Sequence, residues 1–121
     1  MRILKSRPTG TASAKGNPWA ESCPSRALMG ILASKWVLLL MPLLGAGPKR
    51  NSELMRAVQG ISQKMLTQTL SELEERRLVV RRDFGEVPPR VEYELTALGR
   101  SLARVINVLD QWVVDNYHQT R

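Results

Sequence analysis

Residues 60–79 read GISQKMLTQTLSELEERRLV, and the fold turns on how the first half of that stretch is understood. Ser62 suits a helix N-cap, because its hydroxyl can accept a backbone N–H that the first turn leaves without a partner. At about 100° per residue, Leu66, Leu70 and Leu73 fall on one side of the following helix and define its buried face. The opposite side carries Lys64, Gln68, Ser71 and Glu75, with Thr67 at the flank and Gln63 in the first turn. No acid appears before Glu72, and the carboxylates gather at Glu72, Glu74 and Glu75. Gln pairs bidentately with adenine, Lys donates to the N7 and O6 of guanine, and Ser or Thr bonds bases or phosphates. The first two turns therefore resemble a surface that reads base edges, with the acidic end turned away from the polyanion. A merely solvated amphipathic helix has the same period, so the surrounding elements decide between the two.

Upstream, Ser52 can cap a third helix, ELMRAVQ, which stops at Gly60. Before it, KWVLLLMPLL at 35–44 is apolar nearly all round and belongs in the core, with Ser34 as its cap and Gly45, Gly47 and Pro48 ending it. Pro42 removes the N–H that would bond the Leu38 carbonyl, which predicts a kink or an early stop. A short first helix starts at Cys23-Pro24, where proline's missing N–H does no harm, and sets Leu28, Ile31 and Leu32 on one face. Downstream, LVV and RVEYEL read as two antiparallel strands joined by the loop RRDFGEVPPR at 81–90. In the second strand Val91, Tyr93 and Leu95 alternate with Glu92 and Glu94. From Thr96 a long helix carries Leu98, Leu102, Val105, Leu109 and Trp112 as a heptad-like seam. Part of this seam packs against its own domain, but Trp112, Val113 and Tyr117 exceed what a small core needs, so the seam also reads as a contact with a second copy. The order is four helices, two strands and a helix. That is a mainly α domain with a small β wing, a winged helix-turn-helix.

The charge agrees. The 121 residues carry a net charge of +7, which points to a polyanionic partner. The excess lies in residues 1–22 and 47–90, while residues 91–121 have none to spare. Lys49 and Arg50 precede the third helix, and Arg81, Arg82 and Arg90 lie on or beside the wing, where arginines can reach a minor groove or neutralise phosphates. Residues 1–22 are rich in Ser, Thr, Gly, Pro and basic residues and read as a flexible basic tail. The run from Trp36 to Gly47 is too short to span a bilayer, and the N-terminus has no h-region, so a cytoplasmic protein without membrane contact is expected. Nucleophile–base spacings, phosphate-cradling loops and metal-ligand clusters are absent from the sequence, and the only histidine, His118, stands near the C-terminus. Neither catalysis, a metal nor a cofactor is therefore expected. The rival to DNA binding is a winged helix used as a protein-interaction module, which calls for an acidic or apolar fourth-helix face.

The chain resembles the HxlR family of bacterial winged-helix regulators, akin in architecture to the MarR group. The resemblance is carried by CPSRAL at 23–28, KWVLLL at 35–40, SEL at 52–54, the block 60–79 and VPPRVEYELTALGRSL at 87–102. It covers residues 23–121. It implies a homodimer on two-fold symmetric double-stranded DNA, acting as repressor or activator and dimerising through its N- and C-terminal helices. The fourth helix would enter the major groove. On that basis Gln63, Lys64, Thr67 and Gln68 are assigned to bases. Ser62, Ser71, Lys49, Arg50, Arg81, Arg82 and Arg90 go to the backbone and wing contacts, and Leu98, Leu102, Val105, Leu109, Trp112 and Val113 to the dimer. Two residues depart from the family pattern, Asn51 where an aromatic is usual and Pro42 where a polar residue is usual. Cys23 aligns with a cysteine that some members use to sense oxidants or electrophiles. Its place at a helix cap near Arg26 favours the thiolate, although a thiol there can equally be a small packed apolar group. A small-molecule effector is an open alternative.

Overall fold

The structure, a computed structural model, describes residue 17 and residues 19–120, so the basic residues of the expected tail, Arg2, Lys5, Arg7 and Lys15, lie outside the described residues. The chain divides into two compact units, one ending at Ser34 and one beginning at Lys35. In the first unit, α1 spans Pro24–Leu32 with Pro24 in its first turn and Cys23 in extended backbone at the N-cap. Leu28, Ile31 and Leu32 are half-buried there.

The second unit runs α2 (Lys35–Gly45), β1 (Lys49–Arg50), α3 (Asn51–Ala57), α4 (Gln63–Glu75), β2 (Val79–Asp83), β3 (Val91–Leu95) and α5 (Ala97–Asn116), followed by a 3-10 turn at Tyr117–Gln119. Leu40 and Met41 are 0% exposed and Leu44 2%, so α2 is the centre of this unit's core. Pro42 does not stop the helix, which continues to Gly45. The reason is one of magnitude. Burying a large apolar side chain contributes about 1.5–3 kcal/mol, so the residues around Pro42 together outweigh the roughly 3 kcal/mol a proline costs in a helix interior.

The sheet has three strands in the order β1-β3-β2, one more than the sequence reading of a two-stranded wing. β1 is only two residues long, below what period-2 patterning can register. Its pairing of Arg50 with Glu92 also moves the start of α3. Arg50, held extended, becomes the N-cap in place of Ser52, and its backbone N–H donates to the Glu53 carboxylate at 2.8 Å. The wing loop is also shorter than the sequence reading has it. Arg81, Arg82 and Asp83 continue β2 and pair with Tyr93, Glu92 and Val91.

The reading of α4 from sequence holds closely. Ser62 caps it, its hydroxyl accepting from the Met65 N–H at 3.0 Å. Leu66, Leu70 and Leu73 are buried, and buried Thr69 donates its hydroxyl to the Met65 carbonyl at 2.7 Å. Glu75 ends the helix. Arg77 adopts a left-handed φ of 61° while its N–H bonds the Glu74 carbonyl, and the Leu78 N–H bonds the Leu73 carbonyl at 3.0 Å. These two bonds form a Schellman cap, with Arg where Gly is usual.

That cap is tied to the wing and to α5 through Thr96. Its hydroxyl donates to the Arg77 carbonyl at 2.7 Å and accepts from the Gly99 N–H at 2.9 Å, and its own N–H bonds the Leu78 carbonyl at 3.1 Å. Gly99 packs so closely on Leu78 that a Cβ would run into the Leu78 carbonyl oxygen. The end of α4, the base of the wing and the start of α5 thus share one joint.

Candidate nucleic-acid interface

The buried side of α4 is leucine, and its outer side is therefore held at a set angle to the rest of the unit. Ser62, Gln63, Lys64, Thr67, Gln68 and Ser71 are all exposed along it. Gln63 Nε2 donates to Thr67 Oγ1 at 3.1 Å, one turn on. That bond orients the Gln63 amide and leaves the Thr67 hydroxyl proton free to donate outward. The face is neither acidic nor apolar, whereas the protein-interaction alternative calls for one or the other. Glu74 and Glu75 are exposed at the far end, and Glu72 is half-buried.

The sheet sorts the basic residues into two rows. Directly opposed residues share a face, so Lys49, Tyr93 and Arg81 form one row, and Arg50, Glu92 and Arg82 form the next on the other face. The first row shares its face with buried Val79 and Leu95, at the point where the sheet leaves the helical core. The sequence lists these arginines together and cannot separate them by face, because that separation is set by register.

The wing then divides the arginines further. Arg82 Nε lies 2.6 Å from Glu94 Oε1. Arg90 Nε lies 3.2 Å from Glu92 Oε2, its Nη1 lies 3.8 Å from Glu86 Oε2, and its guanidinium stacks 4.2 Å from the Phe84 ring centre. The Phe84 N–H bonds the Arg90 carbonyl at 3.0 Å, and Asp83 Oδ1 accepts from the N–H of Gly85, whose φ is 65°. Arg90 thus ties Glu86, Glu92 and Phe84 together within the wing. Arg82 is likewise engaged. Arg81 is exposed and forms no ion pair among the described residues.

Beyond this surface, Cys23 is buried at 8% exposure. Its Sγ accepts the Asn17 N–H at 3.0 Å and lies 2.9 Å from Ser25 Oγ. The Ser25 hydroxyl is the main cause holding this thiol below its usual value; desolvation opposes it, and backbone N–H groups assist. The Arg26 side chain is turned to the Trp19 carbonyl, at 3.5 Å, so local hydrogen bonds replace the Arg26 charge invoked from sequence.

On α5 the face buried in the core is Gly99, Ala103 and Ile106, not the heptad-like seam. Leu98, Val105, Leu109, Trp112 and Val113 are exposed and Leu102 is half-buried. No single helix among the described residues is long and apolar enough to cross a membrane.

Comparison with known proteins agrees with this geometry. The HxlR-like helix-turn-helix family matches residues 31–121. The chain belongs to the HxlR-like family. The HTH-type transcriptional regulator YkvN of Bacillus subtilis is 46% identical over 91 residues, covering 75% of this chain and 77% of the relative. The solved structure of the regulator ytfH from Salmonella typhimurium superposes with a TM-score of 0.81 at 38% identity, covering 86% of this chain and 93% of that one. The redox regulator HypR in its oxidised form superposes with a TM-score of 0.72 at 36% identity, covering 78% and 97%. This HxlR-like chain is a winged-helix transcriptional regulator.

Proposed function

We propose that the protein is a homodimer that binds a two-fold symmetric duplex operator, with α4 of each copy in the major groove. The observation that carries this reading is the exposed polar outer face of α4, mounted on a leucine-buried inner face. Gln63, Lys64, Thr67 and Gln68 contact base edges. Ser62, Ser71, Lys49 and Arg50 position the backbone, and Arg81 carries the wing's phosphate contact. Arg82 and Arg90 hold the wing in shape through Glu94, Glu92, Glu86 and Phe84. The apolar seam of α5, together with α1, joins the two copies.

The test is selection of bound duplexes from a random DNA pool with purified protein at fixed salt. An inverted repeat with half-sites one helical turn apart, or a multiple of it, is the expected product. Binding that is only salt-sensitive, with no motif recovered, would overturn the assignment.

A second reading adds thiol control of that binding. It is favoured by the Cys23 thiol, polarised by Ser25 and the Asn17 N–H, and by likeness to the redox regulator HypR. Cys23 is the only cysteine of the chain. Oxidation would therefore have to proceed through a mixed disulfide with a small thiol or a disulfide to the second copy.

A further inference from the structure

We propose that Tyr93 donates its hydroxyl to a DNA phosphate held between Lys49 and Arg81, so that this row of the sheet clamps one backbone phosphate. The proposal deepens the duplex-docking reading above and rests on it. Tyr93 stands opposite Lys49 of β1 on one side and Arg81 of β2 on the other. Neighbouring strands lie about 4.8 Å apart, so the two cations flank the ring at about 10 Å from each other. Both side chains are long enough to lean in over the phenol and meet the same anion.

Pairing within the protein leaves this row available. Lys49 and Tyr93 are half-buried and Arg81 is exposed. Among the described residues no side-chain hydrogen bond, ion pair or ring contact engages any of the three. No buried side-chain polar atom among those residues lacks a partner, so the unpaired Tyr93 hydroxyl reaches solvent. The next residue of β2 on the same face, Asp83, turns its carboxylate to the Gly85 N–H at 2.9 Å. The row on the opposite face is built the other way. It has the same three-strand register, but Glu92 fills its centre between Arg50 and Arg82, and Arg82 is paired with Glu94. A carboxylate in the middle offsets its own row and repels a phosphate, whereas a phenol in the middle adds a donor between two cations.

Position gives the clamp its use. The Val79–Leu95 pair lies two residues further in on the same face, about 7 Å along the strands. It is buried where β2 packs on α4. A phosphate fixed over Tyr93 therefore sets the distance from the DNA backbone to α4, while carrying no sequence information itself.

The experiment measures binding of the full-length parent and its variants across a salt series. The probes are a duplex carrying the selected inverted repeat and a scrambled duplex of equal length. Tyr93→Phe removes the hydroxyl alone. It is expected to weaken both duplexes by about tenfold, as loss of a hydrogen bond to a charged group implies, with thermal unfolding unchanged. Its salt slope should match the parent's, since a hydroxyl contact releases no counterion, whereas Lys49→Ala and Arg81→Ala each lower the slope by about one. Duplexes with a single neutral methylphosphonate then locate the site. At one position per half-site, all three substitutions should lose their effect together. If the parent chain binds neither duplex, the docking reading falls and the clamp with it. If the parent binds, the clamp alone is overturned by any of three results: Tyr93→Phe binds equally well, it loses affinity for the inverted repeat only, or it still weakens binding to every methylphosphonate duplex.

Discussion

Gln68 and Arg81 separate the two tasks that the interface combines. Gln68 is exposed at the middle of α4's outer face, where the proposed docking sets its amide against a base edge. Gln68→Ala is expected to weaken specific binding by about 1–3 kcal/mol and to relax one base position. Arg81 sits at the wing base opposite Tyr93 and has no carboxylate partner among the described residues. Arg81→Ala should weaken every sequence alike and lower the salt slope by about one. Competition binding across a salt series checks both, and identical uniform losses would refute the division. Arg90→Ala belongs to a different class, since it removes the wing's ring stack and two ion pairs together. At Cys23, diamide with a small thiol is expected to change operator affinity in the parent chain and not in Cys23→Ser. A response that survives the substitution would rule this thiol out. The identities of these residues are all legible in the sequence, but their partners are not. Glu92 and Glu94 look like the solvent side of an alternating strand until register sets them against arginines.

Among elements, the joint of α4, wing and α5 has the clearest energetic consequences. Gly99→Ala would drive a methyl group into the Leu78 carbonyl, which is backbone and cannot rotate away. A loss of about 3 kcal/mol is expected, at the upper end of overpacking effects, read as the denaturant midpoint. Arg77 runs the other way. It holds a left-handed φ of 61° at the Schellman position, and Arg77→Gly should stabilise the fold by about 1 kcal/mol. If unfolding shows no gain, Arg77 makes a compensating contact. α4 was readable because its cap, its apolar period and its polar face agree with one another. β1 and the start of α3 were not readable, since a two-residue strand exists only through its partner β3. Pro42 fails to stop α2 for a related reason, because its local penalty is visible in sequence while the burial that offsets it is a property of the packed core.

For the whole molecule, α5 decides whether one copy suffices. Leu98 is 58% exposed, Val105 65% and Trp112 54%, on a helix whose core contact is already made by Gly99, Ala103 and Ile106. An apolar stripe of this length left in water marks an association surface. Trp112→Glu is expected to shift the protein to monomer in sedimentation and to abolish cooperative binding to a palindromic site while leaving the thermal unfolding of the second unit nearly unchanged. A dimer that persists would move the interface elsewhere.

The sequence by itself determined the winged-helix order, the buried and outward faces of α4, the cap at Ser62 and the excess of positive charge, because each depends on neighbours within one or two turns. Only the tertiary structure decided which arginines remain available, where α3 begins and which stripe of α5 enters the core. Those outcomes depend on register and packing between segments distant in the chain, where a strand partner, a carboxylate or a close backbone approach overrides what the local pattern prefers.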